Sequence, residues 1–436
     1  MQFPDYQISQ FPNSQVAGGE SVKPTRAWKL GLWVVALVVG YVQAAAGQQT
    51  AGQPPAEPTK VDIGFGGLTV SSGVNSLTIG ARAQFRWTID DREEFDGDLA
   101  GAGLGRADGT TSQFDVPRLR VTLSGGVFRP WMRYLFQFDF SRTSGEGDSK
   151  IKDAILEIRP VDRPYRFQMG QFKVPFGLQQ LTSSGRQQFV DRAITDNKFV
   201  PARDMGAMFA GTLASRKVGY EVGVFNGSGE SRVQANASQL WAARVSFQPF
   251  GAYALSEGAM ESGDQSIVHV GLGVRGGEQI RGRTSTTIVE EADNQTAVDL
   301  EFAARLPRFF STLEYFWMID ELTNPVEADD IDSRGFHAQA GFMVTQPVEV
   351  GFRYARIEGD TDVDDAAVNE WRGVVGYFWR AHNLKLQGDA GQVSYGENFA
   401  LMPSRARSGL PSLGTRLSVG ESLSDTQVRI QFQLAF

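Results

Sequence analysis

The sequence predicts an all-β fold, an antiparallel barrel of about sixteen strands that spans a membrane. Three observations carry this. First, apolar residues recur with a period of two. At the end of the chain Val428, Ile430, Phe432, Leu434 and Phe436 alternate with Gln427, Arg429, Gln431, Gln433 and Ala435, the pattern of a strand with one apolar and one wet face. Second, about sixteen such stretches follow one another, each near the length a tilted strand needs to cross a bilayer. Third, the breaks between them alternate between short and long, which suits short periplasmic turns and long external loops. An edge strand of a soluble sandwich explains the first observation and gives no reason for the third.

Composition agrees. The chain has 436 residues and is 41% hydrophobic, too polar for a bundle of many membrane helices but right for a barrel whose strands wet one face. Its 49 Gly, 30 Phe and 10 Tyr suit turns and aromatic girdles. With no cysteine, a disulfide scaffold, thiolate metal site or Cys nucleophile is excluded. The net charge of -8, with no dominant basic stripe, excludes a nucleic-acid partner.

The elements run in order as follows. Residues 1–46 read as a signal peptide: Lys23, Arg26 and Lys29 precede an apolar core at 30–42, and Gln43-Ala44-Ala45-Ala46-Gly47 offers a cleavage site before Gly47. The alternative, a single membrane anchor, has too short a core for a helix of roughly 20 residues. Residues 47–60, with Pro54, Pro55 and Pro58, read as a flexible tether. Residues 61–72 are either a preliminary strand or a plug segment, and 61–436 form the barrel domain. Strands are expected at 77–89, 113–126, 131–142, 150–160, 164–173, 204–215, 217–226, 238–248, 265–275, 296–306, 309–321, 335–345, 348–358, 367–379, 383–395 and 425–436. In the third, Met132, Tyr134, Phe136, Phe138 and Phe140 share one face, and Arg133, Gln137, Asp139 and Ser141 share the other with Leu135. Short breaks at 127–130, 161–163, 307–308, 346–347 and 380–382 fall on the periplasmic side when both termini do, and long ones at 90–112, 174–203, 276–295 and 396–424 fall outside. Residues 249–264 are the exception, long for a periplasmic turn.

Two segments carry more than pattern. Met169-Gly170-Gln171-Phe172-Lys173-Val174-Pro175-Phe176-Gly177-Leu178 leads to Leu181-Thr182-Ser183-Ser184, and Phe189-Val190-Asp191-Arg192-Ala193 is followed by Pro201-Ala202-Arg203-Asp204-Met205-Gly206. With Lys152-Asp153-Ala154-Ile155-Leu156-Glu157 before them, these resemble the phosphate-selective porin O and P family. The resemblance is sharp over residues 150–210 and diffuse elsewhere. It implies a 16-stranded barrel, a homotrimer and a third external loop folded inward to narrow the pore. The residues agree: 174–203 is far longer than a usual connection, and it carries Phe176, Leu178, Leu181, Phe189, Val190, Ile194, Phe199 and Val200 to pack. A loop that must pack but cannot face lipid folds into the lumen; the alternative is a cap over the mouth.

Assigning apolar residues to lipid places Arg82, Arg86, Arg118, Arg120, Arg133 and Arg429 in the lumen on neighbouring strands. They form one basic wall, and Arg suits anions because it stays charged and offers a planar fork of donors. Lys173, Arg186, Arg192, Lys198 and Arg203 add to it at the constriction loop. Asp299, Glu301, Glu314, Asp320 and Glu349 gather across the bore, so that two opposed walls set a transverse field. The competing reading of each arginine is a solvated residue paired to a neighbouring carboxylate. The acidic chain also departs from what the family name promises.

The expected function is an outer-membrane porin: a passive diffusion channel for small anions such as phosphate or polyphosphate. Its expected partners are outer-membrane lipid and lipopolysaccharide, small inorganic anions and further copies of the chain in a homotrimer. Neither cofactor nor metal is expected. The alternatives are a weakly selective channel for small polar solutes and a plugged structural or adhesive barrel. An enzyme would need a nucleophile, base and orienting group together; of His269, His337 and His382 none lies near a Ser in a recognisable motif. The Gly-rich stretch 97–105 precedes no helix, so it reads as an external loop rather than a phosphate cradle.

Overall fold

The computed structural model of the chain describes residues 58–64, 66–93, 109–141, 150–232, 239–261, 265–280, 292–321, 330–411 and 420–436. The expected leader, nearly all of the tether and the stretch 97–105 lie outside the described residues.

The strands are β1 (Lys60–Gly64), β2 (Gly67–Ser72), β3 (Asn75–Arg92), β4 (Gly109–Val127), β5 (Arg129–Asp139), β6 (Lys150–Ile158), β7 (Tyr165–Lys173), β8 (Arg203–Leu213), β9 (Val218–Phe225), β10 (Leu240–Phe247), β11 (Ile267–Ile280), β12 (Ala292–Leu306), β13 (Phe309–Glu321), β14 (Ile331–Thr345), β15 (Val348–Glu358), β16 (Val368–Arg380), β17 (Leu384–Tyr395) and β18 (Leu423–Ala435). From β3 onward each pairs antiparallel with its chain neighbours, and β18 returns to β3 in a register from Asp425↔Arg92 to Ala435↔Arg82. The result is a closed barrel of 16 strands with no free edge. Phe436 completes the seam: its N–H donates to Ala81 O at 3.0 Å and its carbonyl accepts from Ala81 N at 2.8 Å.

The segment 61–72 is a strand pair rather than a plug. β1 and β2 form a hairpin, and β2 pairs with β3 from Leu68↔Ile79 to Ser72↔Asn75, below the point where β18 ends.

Outward faces are apolar and exposed around the ring, for example Phe209, Val222, Leu272, Leu300, Phe352, Val375 and Ile430. Exposed apolar surface on this scale requires a non-aqueous surround. Rings cluster toward both rims: Trp87 stacks on Phe114 at one, and Tyr377, Trp379 and Phe432 touch at the other, as in interfacial girdles.

In β4 the alternation is reset. Register slips between Gln84/Arg86 of β3 and Arg118/Asp115 of β4, around Pro117, which has no N–H for the ladder. Asp115, Arg118 and Arg120 consequently all turn inward, although period two alone would put Asp115 outside.

The apolar core sits inside the bore. Residues 174–202 fold into it as two short helices, Leu178–Leu181 and Ile194–Phe199, with connecting loop. Their Val174, Phe176, Phe199 and Val200 pack with Phe225, Leu240, Phe316, Met318 and Ile357 from the strands. Phe199 stacks on Phe316 at 5.2 Å. Glycines make the room: a Cβ on Gly335 would lie 2.7 Å from the Phe199 ring, and one on Gly341 would overlap the Gln188 amide. A second external segment, 396–411, caps this core with Phe399, Met402 and Ala406.

Candidate permeation site

An irregular loop inside a barrel has backbone groups that no ladder satisfies, and each must find a partner. Here the wall supplies them. Loop N–H groups donate to strand carboxylates: Gly177 to Asp299 at 3.1 Å, Gln179 to Glu314 at 2.8 Å, Val190 to Asp389 at 3.1 Å and Ile194 to Glu370 at 3.1 Å. Loop carbonyls accept from strand cations: Phe199 from Arg275 at 2.8 Å, Asp191 from Arg353 at 2.9 Å and Gln187 from Lys385 at 2.8 Å. This explains why so many charged residues are buried.

The acidic side of the bore is therefore covered rather than open, which corrects the picture of two facing walls with a transverse field. Asp299 and Glu314 hold the loop, Glu349 accepts from Gln188 and Ala259, Asp320 from Gln295, and Glu301 from Arg244 and His269. Five of these carboxylate residues are at most 2% exposed: Asp299, Glu301, Glu314, Asp320 and Glu349.

On the opposite side the expected arginines come together, all but one. Arg86, Arg118 and Arg429 converge on a single loop carboxylate, Asp191, at 2.7, 2.9 and 3.1 Å. Burial pushes this carboxyl up, but Arg118, Arg86 and Arg429 outweigh burial and hold it well below the usual carboxylate range. Arg82 donates to the hydroxyls of Ser183 and Ser184, at 2.9 and 3.2 Å. Arg120 pairs with Asp139 at 2.8 Å and reaches Ser184 at 3.1 Å. Arg133 shares the face of Gln137 and Asp139 but lies exposed near the periplasmic end of β5, opposite Glu157.

The five loop cations divide. Lys173 donates to the carbonyls of Gln180, Leu181 and Thr182 at 2.6, 3.0 and 3.0 Å, using all three of its donors. Arg192 donates to the carbonyls of Gln179 and Thr182, both at 3.1 Å, and lies 3.7 Å from Asp196. Arg203 grips Asp153 with both arms of its fork, at 2.9 and 3.2 Å. Arg186 is exposed. Lys198 is fully buried and donates to Ala406 O at 2.6 Å, so it ties the loop to the cap instead of facing the bore. Arg353, Arg372 and Arg244, which the sequence reading passed over, sit on inward positions of β15, β16 and β10 and pair with Glu370, Asp389 and Glu301. Strand parity was the signal that would have found them.

Between the loop and β4–β8 a cavity of about 460 Å³ remains. It is lined by the cations Arg118, Arg120, Lys152, Lys173, Arg192 and Arg203, the acids Asp153, Asp196 and Glu230, and polar Gln137, Gln180, Ser183, Ser184 and Asn197. Burial pushes the Asp196 carboxyl up; Arg192 opposes this and Glu314 adds to it.

A closed barrel with a lipid-facing belt and a bore narrowed by an inward loop defines an outer-membrane porin. The chain belongs to the phosphate-selective porin O and P family, whose model matches residues 92–399; members are channel proteins of the bacterial outer membrane, not enzymes. No curated protein matches the sequence. Among solved structures it is similar to an anion-selective porin from Comamonas acidovorans (13% identity, 83% of this chain and 100% of that one, TM-score 0.54). It is also similar to in-vitro folded OmpT of Vibrio cholerae in its trimer form (12%, 82% and 99%, 0.52), and to the outer membrane channel DcaP of Acinetobacter baumannii (11%, 84% and 99%, 0.52). Likeness at such identity is a likeness of fold.

Proposed function

We propose that this porin passes small anions, inorganic phosphate and polyphosphate among them, through the cavity between the constriction loop and β4–β8. The observation that carries the reading is the charge balance there. Six cationic side chains line the cavity against three carboxylates. Moreover, Lys173, and Arg82 beside the cavity, are bonded to neutral oxygens, and Arg192 mainly so; these hydrogen bonds orient the side chains without committing them to carboxylates. Arg82, Arg86, Arg118, Arg120 and Arg429 form the anion-attracting wall, Arg133 and Arg186 widen its reach toward the periplasm, and Lys173, Arg192 and Arg203 flank the narrowest part. Rings of fixed charge of one sign set ion selectivity in a pore. Lys198 has no part in it. Three copies associate side by side in the membrane, and residues 1–46 are the export signal.

The test is single-channel recording in planar bilayers under a salt gradient, with phosphate set against chloride. The parent chain gives discrete open steps and an anion-biased reversal potential. Replacing Arg118 and Arg120 by Ala lowers that bias. Open steps with no bias in the parent support a weakly selective channel instead, and no steps at all support a plugged barrel.

A further inference from the structure

The connection from β10 to β11 lies at the short-turn end yet runs from Gln248 to Ser266, and its residues 253–260 do not stay outside. Tyr253 is 7% exposed, Ser256 0% and Glu257 2%. Tyr253 and Ala259, with Met260 against them, pack on Leu178 of the constriction loop and on Ala303, Phe310 and Met343 of the wall. Arg305 donates to Ser256 O at 2.7 Å, and Ala259 N donates to Glu349 at 3.1 Å.

Glu257 is where the insert meets the constriction loop. Its N–H donates to Arg186 O at 2.8 Å, and its carbonyl lies 2.9 Å from His382 Nε2. Its carboxylate accepts from Gln179 Nε2 at 3.0 Å, Gln188 N at 2.9 Å and Gln339 Nε2 at 2.9 Å. Gln179 passes the constraint on: its side-chain oxygen accepts from Ala193 N at 2.8 Å and its backbone carbonyl from Arg192 at 3.1 Å. A buried carboxylate bonded by three donors cannot be removed without orphaning them.

We propose that this insert is a second selectivity element, entering from the periplasmic face: it closes the β12–β17 side of the bore, and Glu257 acts as a positioning residue that sets Gln179 and, through it, Arg192. Conduction is thereby confined to the cationic cavity beside β4–β8. The inference rests on the porin reading above, and its test separates the two.

The parent chain has no cysteine, so Ala303→Cys, at a wall position 0% exposed beneath the insert, provides a single thiol. In the full chain a membrane-impermeant maleimide added from the periplasmic side leaves it unlabelled. With residues 251–261 replaced by a short turn, or with Glu257→Ala, it is labelled. In bilayers the shortened variant shows a several-fold larger unitary conductance and a weaker anion bias, and Glu257→Ala shifts the reversal potential in the same direction. Ready labelling of Ala303→Cys in the full chain overturns the proposal, as does unchanged conductance and selectivity in both variants. If the shortened chain does not fold, Glu257→Ala carries both readouts. Absence of current in the parent overturns the porin reading, while labelling still decides the insert.

Discussion

Replacing Asp191 by Asn removes the carboxylate that Arg86, Arg118 and Arg429 share. Each contact is worth about 4 kcal/mol of gross attraction at an effective dielectric of about 20. Repulsion among the three guanidiniums and the desolvation of all four groups offset most of this. Breaking a buried pair by removing one partner costs about 3–5 kcal/mol. Asp191 keeps 29% of its side-chain surface accessible from the bore, so the lower end, about 3 kcal/mol, applies. Arg429 retains Asp389, at 2.7 Å, and the loss falls on Arg86 and Arg118. At about 1.4 kcal/mol per factor of ten, the docked loop is disfavoured roughly a hundredfold relative to undocked states. The variant also removes one negative charge from beside Arg118, which lines the cavity. Single-channel recording under a salt gradient reads both effects. Open-channel noise and substate transitions increase, and the reversal potential moves further to the anion side. A trace with the parent's noise and reversal potential would refute the view that Asp191 both pins the loop and screens the wall.

Four further outcomes are expected. Because burial raises the Asp196 carboxyl, it gains its proton at a higher pH than a free Asp at about 3.9; the cavity loses a negative charge as pH falls, anion preference rises on acidification, and Asp196→Asn abolishes that dependence in reversal-potential titrations. Over the same range Asp191, held below the usual carboxylate range, stays ionised, so its bonds to the wall survive until the medium is more acid than an ordinary Asp would tolerate. Lys198→Ala leaves reversal potentials unchanged while costing about 1–3 kcal/mol at the loop-to-cap contact, seen as faster proteolysis of the external segment 396–411. Leu300→Lys, at an outward position 51% exposed midway along β12, costs about 2–4 kcal/mol if that face meets the bilayer midplane; urea unfolding from vesicles with no loss against Leu300→Ala would place the membrane belt elsewhere.

The strands were legible in number and order, and their ends to within five residues. Expected stretches such as 309–321 and 348–358 coincide with β13 and β15, and the remaining barrel strands fall within a few residues. The reason is local: alternation of wet and apolar side chains is written along one strand, and in an up-and-down barrel each strand's partners are its chain neighbours. The long break at 249–264 stood out as irregular, but nothing in its own residues says that Glu257 reaches Gln188.

What the sequence by itself determined is a sealed cylinder, its lipid face, a long packing loop at 174–203 and most of the charges on inward positions; Asp115 turned inward only through the register slip at Pro117. Only the tertiary structure decided which of those charges meet. Arg82 finds Ser183 across 101 positions, Gln179 finds Glu314 across 135, and Arg429 finds Asp191 across 238. Parity assigns a face to each residue but no depth or azimuth, and partners that far apart are set by how an irregular loop settles against the whole wall. Asp299, Glu314, Glu370 and Asp389 became anchors for loop N–H groups, and Arg275, Arg353 and Lys385 for loop carbonyls, because each buried backbone group takes a nearby partner of the matching kind, a choice that exists only once the barrel has closed around the loop.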